Sequence, residues 1–575
     1  MAESLDIALE NLFNERKDFI IIGLTGRTGS GCSTVADLLT KDFKELNVVP
    51  PKNELFSSNE ERKYSLVYQY ADKNWEKFVK IEMRNIITSF ILEERYTKLK
   101  RFLKTEYPTL NQKNLDATIR TEFNKMHEER LRIKKLVEEN EDNLKDDSIY
   151  KFYFTDLPIF TLNLKTELEK HDKDIYTKLY QKIANNIRSS GKALSDEFNA
   201  ENIFMLSQRT NTLIKILRKR NKEAKNKNKT SKGRVLVVID AFRNPYEAIF
   251  FKDRYSSFYL FSINTKDEDR KKRLNENIDL INKQIKAIDE IEYPKNLSGN
   301  KIFWSQNIQR CIELSDVYMY NPQSNIRELK ELKSELIKYI TLIMHPGLVS
   351  PTHVERSMQI AYNAKLNSGC LSRQVGAVVT DENYSIKSVG WNTIPEGQIP
   401  CNLRSLNKLV SRQDKEAYSN FELNNQEFIT ECETIVEKIN NDKLNGRSFQ
   451  YCFKDIYNNT ESKKGEKNQV YTRSLHAEEN AFLQISKYGG MGIMGGNLFT
   501  TASPCELCAK KAYQLGIKKI YYIDPYPGIS EDHILMNGIK NPVMILFQGA
   551  IGRGFTQLYT QIMPYKDELK MLLND

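Results

Sequence analysis

Leu475-His476-Ala477-Glu478 and, after a strand-like Asn497-Leu-Phe-Thr-Thr501, Pro504-Cys505-Glu506-Leu507-Cys508 bring one imidazole, one carboxylate and two thiols into a short span of chain. Two cysteines three apart at a helix start can turn both thiolates to one metal ion, and the positive end of the helix stabilises their charge. His476 supplies a third ligand. The fourth tetrahedral position then stays open for water, which a catalytic zinc requires and a structural zinc with four protein ligands does not leave. Zinc in such a site makes water acidic enough to ionise near neutral pH. Glu478, two residues beyond the imidazole, is near enough to exchange protons with that water without joining the ligands.

Ahead of this pattern lie Gly369-Cys-Leu-Ser-Arg-Gln-Val-Gly-Ala-Val-Val379 and Gly390-Trp-Asn-Thr-Ile-Pro-Glu-Gly397. Together with the H-x-E and P-C-x-x-C motifs of zinc deaminases, they make residues 350–570 resemble the deoxycytidylate deaminase family. The resemblance implies a cytidine-deaminase-like α/β/α domain, Zn2+ as cofactor and a deoxycytidine nucleotide as substrate. Glu478 would take the water proton, protonate the ring nitrogen and later hand a proton to departing ammonia. It also implies that Asn392 binds the deoxyribose hydroxyl, that Arg473 holds substrate phosphate with Arg373 as a further candidate, and that Tyr526 lines the sugar and base pocket. By themselves these residues have plainer readings. An Asn after a strand caps a turn, an arginine pairs with a surface carboxylate, and a tyrosine fills a core.

The first half carries a different signal. The β-like run Phe19-Ile-Ile-Ile-Gly-Leu24 leads into Gly26-Arg-Thr-Gly-Ser-Gly31-Cys32-Ser33, and a helical pattern follows to Phe43. This is the G-x-x-x-x-G-K-[ST] frame in its proper strand–loop–helix context, with Cys32 in the lysine position. Backbone N–H groups around Gly26, Gly29 and Gly31 can still cradle phosphates. Ser33 or Thr34 can still reach Mg2+. The cation that phosphoryl transfer places on the β- and γ-phosphates is missing. A second apolar strand, Val235–Ile239, ends in Asp240, and a third is Phe258–Ile263. Uninterrupted apolar strands between helices predict a parallel sheet covered on both faces. Asp240-Ala-Phe-Arg-Asn-Pro and the basic run Asp269–Arg273 resemble nucleoside-monophosphate-kinase-like proteins. The fold class expected is therefore α/β, with a P-loop kinase-like domain over 1–340 and the deaminase-like domain over 341–575. Residues 50–230 read as helical insertions in the first domain, and 402–475 as an insertion in the second.

Composition narrows the remaining choices. At roughly 150 residues per domain, 575 residues make two to four domains. A 40% hydrophobic share excludes wholesale disorder, and a net charge of +10 over this length does not describe a dedicated nucleic-acid binder. Leu217–Arg234 holds nine Lys/Arg against one Glu and reads as a solvated loop, with contact to a polyanion such as RNA as the alternative. Asn321-Pro322 through His345-Pro-Gly reads as the junction, with Ser350-Pro351 capping the next helix. No apolar run of membrane-spanning length and no secretory leader is evident, and eight cysteines are too few for a disulfide scaffold. The expected setting is the cytoplasm. Cys370, Cys401, Cys432 and Cys452 read as reduced, buried thiols.

A phosphate loop lacking its lysine joined to a deoxycytidylate-deaminase-like half resembles the two-domain bacterial anti-phage deoxycytidine-nucleotide deaminases. That resemblance implies conversion of dCTP and dCMP to dUTP and dUMP, deoxynucleotide effectors, a small inhibitory RNA and a homo-oligomer. Two rivals stand beside it: a deaminase of cytosine or adenine within a polynucleotide, and a nucleotide-sensing regulatory protein.

Overall fold

The computed structural model describes residues 2–573 except 52–55, 109, 111, 171–172, 228–232, 295–296, 323–328, 462–471, 490–491 and 525–528. The chain forms two compact units, Met1–Ser350 with Arg553–Asp575, and Pro351–Gly552. The sequence reading divides the chain between 340 and 341, whereas the return of Arg553–Asp575 to the first unit has no local signature. It is held there by side chains: Glu568 pairs with His345 at 2.8 Å, and Phe13 stacks on the same imidazole at 4.5 Å. Among the described residues no helix is long and apolar enough to cross a membrane.

In the first unit a sheet runs in the order β5 (Val317–Tyr320), β4 (Phe258–Asn264), β1 (Phe19–Thr25), β3 (Val235–Phe242), β2 (Val79–Glu82). All four strand pairs are parallel. Ile20, Ile21, Ile22 and Leu24 are fully buried, so β1 is covered on both faces, which is why its apolar run shows no alternation. The region 50–230 is not insertion alone, because β2 lies inside it and pairs with β3. Four residues of Val79-Lys-Ile-Glu carry too short a pattern to be read from sequence. Helices from Met83 onward pack on Ile21, Val237 and Ile239 in the unit's main core. The stretch read as a loop at 217–234 is helical as far as Lys227, within Met205–Lys227. Its cations are partly engaged: Arg218 lies over the Phe19 ring at 4.7 Å, and Lys219 reaches Asp142 at 3.2 Å.

The second unit holds a mixed sheet ordered β10 (Val543–Leu546), β9 (Lys519–Asp524), β8 (Asn497–Ala502), β6 (Gly376–Thr380), β7 (Ile386–Trp391). Strand β6 is antiparallel to β7 and β8, while β8, β9 and β10 are parallel. Successive residues of β6 face opposite sides. Gly376 points at the helix His353–Ala364, where a Cβ would stand 1.9 Å from Ala361 O, so only glycine permits that approach. Ala377 and Val379 lie in a core with Ala477, Ala481 and Ala509. Helix His353–Ala364 is capped by Thr352, whose hydroxyl accepts from Glu355 N at 3.1 Å. Ser350, expected in that role, lies two residues too early. Within 402–461 the chain closes a small helical core of its own around Leu406, Phe428, Cys432 and Tyr451. Beside it, fully buried Arg404 is paired with fully buried Glu422, and the Tyr451 hydroxyl donates to that carboxylate at 2.7 Å.

Candidate active site

Strand β8 delivers Ser503-Pro504-Cys505 to the start of helix Glu506–Gln514, where Cys505 is the N-cap and Cys508 lies in the first turn. His476 is likewise the N-cap of helix Ala477–Tyr488. The two helix starts converge. His476 Nδ1 is 3.2 Å from Cys505 Sγ and 3.5 Å from Cys508 Sγ, and the three donor atoms lie within 4.8 Å of one another. This is a nitrogen and two sulfurs aimed at one point, the donor set and spread that zinc takes. Both helix N-termini add positive potential where thiolate charge would collect.

Hydrogen bonding from Cys508 holds Cys505 down to about 4, against the cost of burial. The same bond and burial push Cys508 far up, and the bond to Cys505 raises His476. Glu478 is 4% exposed, and burial raises its carboxyl above the ordinary range. The Thr500 hydroxyl stands 3.4 Å from Glu478 Oε1. The motif reading misses Glu479, yet this residue organises the site. Its carboxylate accepts from His476 N at 3.4 Å and pairs with Lys511 of the cysteine helix. Its place three residues after an N-cap is the one local signal for that role.

The other expected residues lie in the same unit. A bridge between Thr393 and Leu475 fixes Asn392 beside the His476 segment. The Asn392 amide donates to Arg373 O and accepts from Val375 N, both at 2.7 Å. Each amide atom keeps one further hydrogen-bonding position. Arg473 is half-buried and donates to Ile399 O and Gln398 Oε1, both at 3.3 Å. Arg373 is ion-paired with buried Asp524 at the end of β9. Tyr526 lies outside the described residues. Cys401 and Cys432 are buried, whereas Cys370 and Cys452 are only half-buried, and all four are free thiols.

In the first unit Gly31 closes the turn after β1 with φ +107° and caps helix Cys32–Leu39. A Cβ there would stand 2.1 Å from Asn321 Nδ2. Gly26 and Gly29 also have positive φ. Ser33 Oγ donates to Asp240 Oδ2 at 2.7 Å, joining the loop to the end of β3. Burial raises Asp240, and burial with the Asp240 charge nearby pushes Cys32 up to about 12. Arg273 donates to Asn321 O at 2.7 Å and to Ser30 O at 3.3 Å, while buried Arg270 holds Asp267 and Asp289, so the basic run grips the loop. Thr34 lines the same cavity as Cys32 and Asp240.

Residues 351–524 match the family model of the cytidine and deoxycytidylate deaminase zinc-binding region. The deoxycytidylate deaminase of Enterobacteria phage T2 is 31% identical over 170 residues, covering 29% of this chain and 78% of that protein. Its counterpart in Enterobacteria phage T4 is 30% identical over 170 residues, covering 29% of this chain and 76% of that protein. The solved dCMP deaminase of cyanophage S-TIM5, in complex with dCMP and dUMP, is 24% identical over 34% of this chain and 95% of that one, with a TM-score of 0.20. Identity at that level over most of the phage T2 protein settles the family: the chain belongs to the deoxycytidylate deaminases and is an enzyme of that family.

Proposed function

We propose that this chain hydrolyses deoxycytidine nucleotides, converting dCTP and dCMP to dUTP and dUMP with release of ammonia, with zinc held by His476, Cys505 and Cys508. The observation that carries the reading is the convergence of one imidazole and two thiols with Glu478 buried against them. Zinc bound there supplies a Lewis acid that makes water nucleophilic near neutral pH. The chain's own part is to move protons. Glu478 takes the proton of the attacking water, delivers it to cytosine N3, and passes a proton to the exocyclic nitrogen as ammonia leaves. Burial raises its carboxyl above the ordinary range, which strengthens it as the base that takes the water proton. Asn392 offers its free hydrogen-bonding positions to the deoxyribose hydroxyl. Arg473 takes substrate phosphate, Arg373 assists it by exchanging Asp524 for phosphate, and Tyr526 lines the base and sugar.

The first unit acts as a P-loop kinase-like domain that holds a nucleotide on Gly26–Thr34, with Mg2+ at Ser33 and Asp240, and without phosphoryl transfer because Cys32 stands where the lysine belongs. Such a two-part enzyme depletes deoxycytidine nucleotides during phage replication in the cytoplasm. Deoxynucleotide effectors and a small inhibitory RNA control it, and it works as a homo-oligomer. These last readings rest on the resemblance to two-domain anti-phage deaminases. One incubation tests the core of the proposal: zinc-loaded protein with dCTP, dCMP and a single-stranded DNA oligonucleotide, followed by chromatography. Formation of dUTP and dUMP with intact DNA is expected. Deamination of the DNA alone would transfer the site to polynucleotides, and no product from any substrate would leave a nucleotide-sensing protein.

A further inference from the structure

The first unit holds an open-sided cavity of about 1240 Å³, more than the roughly 300–1,000 Å³ of an ordinary small-ligand pocket. Part of its lining is the loop Gly31–Thr34 with Asp240, so the cavity extends well beyond the space a phosphate group needs. Another part is one face of the helix Ile175–Ser190, where Tyr176, Tyr180, Gln181 and Ala184 recur at helical spacing. Met83 and Ile87 add apolar surface beside them.

Three polar atoms on that helix face have no partner among the described residues: Gln181 Nε2, Gln181 Oε1 and the Tyr176 hydroxyl. Gln181 is 6% exposed and Tyr176 8%. Tyr180 next to them is satisfied, since its hydroxyl meets Thr88 Oγ1 at 2.7 Å. A buried amide with both ends unpaired has lost its water and gained nothing in return, which folded proteins rarely tolerate without a use. A carboxamide presents one donor and one acceptor side by side in a plane. Its complement is a planar group carrying an adjacent acceptor and donor, which every nucleobase edge provides. Glu82 and Arg84 line the cavity together with both parts.

We propose that this cavity is a nucleoside-phosphate site in which the Gln181 carboxamide and the Tyr176 hydroxyl bind the nucleobase while the glycine loop holds the phosphates. The proposal rests on the reading of Gly26–Thr34 as a phosphate loop and adds where the base goes. The amide can turn over to exchange its donor and acceptor, so the site accepts more than one base, and a nucleotide panel ranks them.

The test uses full-length, zinc-loaded protein in titration calorimetry with dATP, dGTP, dTTP and, as a base-free probe, inorganic tripolyphosphate. Native protein should bind at least one nucleotide about tenfold or more tighter than tripolyphosphate. Gln181→Met keeps the side-chain length and removes both unpaired atoms, so its melting temperature should not fall. It should bring nucleotide affinity to within about twofold of tripolyphosphate and leave tripolyphosphate binding unchanged. Tyr176→Phe should lower the same preference by a smaller factor. Ser33→Glu places a negative charge in the loop and should weaken every ligand. An unchanged nucleotide preference in both Gln181→Met and Tyr176→Phe overturns the base site and leaves the phosphate loop standing. Nucleotide binding that survives Ser33→Glu in full belongs elsewhere and overturns it as well. Failure of native protein to bind either tripolyphosphate or any nucleotide overturns the phosphate-loop reading, and the base site with it.

Discussion

Glu478 combines two properties that a proton shuttle needs: burial that lifts its carboxyl and a position against Cys508 and Thr500. Glu478→Gln preserves size and one hydrogen-bond acceptor but cannot carry a proton. It should keep its zinc by elemental analysis and lose deamination by at least ~100-fold. Near-normal turnover would remove Glu478 from the chemistry. Among the described residues Arg473 is held by two long, neutral hydrogen bonds, so a phosphate can replace them at little cost. Arg473→Ala should weaken catalysis on dCMP by about 1.5–3 kcal/mol in kcat/KM, the worth of a charge-assisted contact, and leave deoxycytidine nearly unaffected. Equal losses on nucleotide and nucleoside would mean the arginine serves the fold. Both ligand motifs are legible in the bare sequence because each is local: a histidine two residues from its acid, and two cysteines one helical turn apart. Glu479 escapes such a reading because its job is to position His476 and to reach Lys511 on another helix.

At the scale of elements, the helices within 402–461 pack an apolar core with a fully buried charge pair beside it. Burial pushes Glu422 up, but the hydrogen bond and charge of Arg404 outweigh it and hold the carboxyl below its ordinary range. A carboxylate lowered in the folded state contributes stability that is present above its unfolded pKa and is lost as pH falls through the lower folded value. Acidification should therefore loosen this region first at the pair, which hydrogen exchange over 404–457 would register. Glu422→Ala leaves Arg404 buried without its counter-charge, and should destabilise the segment by about 3–5 kcal/mol. Limited proteolysis within 402–475 that proceeds no faster than in the native protein would contradict this. Charge is equally misleading by composition alone in Leu217–Arg234. Nine cations in that stretch read as a loop, but it is helical as far as Lys227, and Arg218 on Phe19 and Lys219 on Asp142 give charges there packing partners that a residue count does not reveal.

Across the whole molecule, the cluster His476, Cys505, Cys508 and the loop Gly26–Thr34 fall in different units. Cys32→Lys would put a cation at a position where Asp240 and Arg243 act with opposite sign. The added charge should tighten ATP binding by about 1–2 kcal/mol, and the purified enzyme's deamination should change little because His476, Cys505 and Cys508 lie in the other unit. The paired measurement is phosphoryl transfer from labelled ATP by native protein and deamination by Cys32→Lys. Robust phosphoryl transfer by the native chain would end the view that Cys32 leaves the first unit without kinase chemistry. Features that depend on neighbours along the chain are written in the sequence. The β1–loop–helix frame, the three apolar strands and the two metal-binding motifs all follow from side chains and dihedral preferences within a turn or two of each other. Features that join residues far apart in the chain emerge only on folding. They include β2 added to the sheet edge, Arg373 paired with Asp524, Arg553–Asp575 returned to the first unit, and Gln181, whose amide has no partner among the described residues, in the cavity beside Gly31–Thr34. Such pairings are chosen by how the whole core packs and which polar groups it leaves unpaired, and no local pattern encodes that choice.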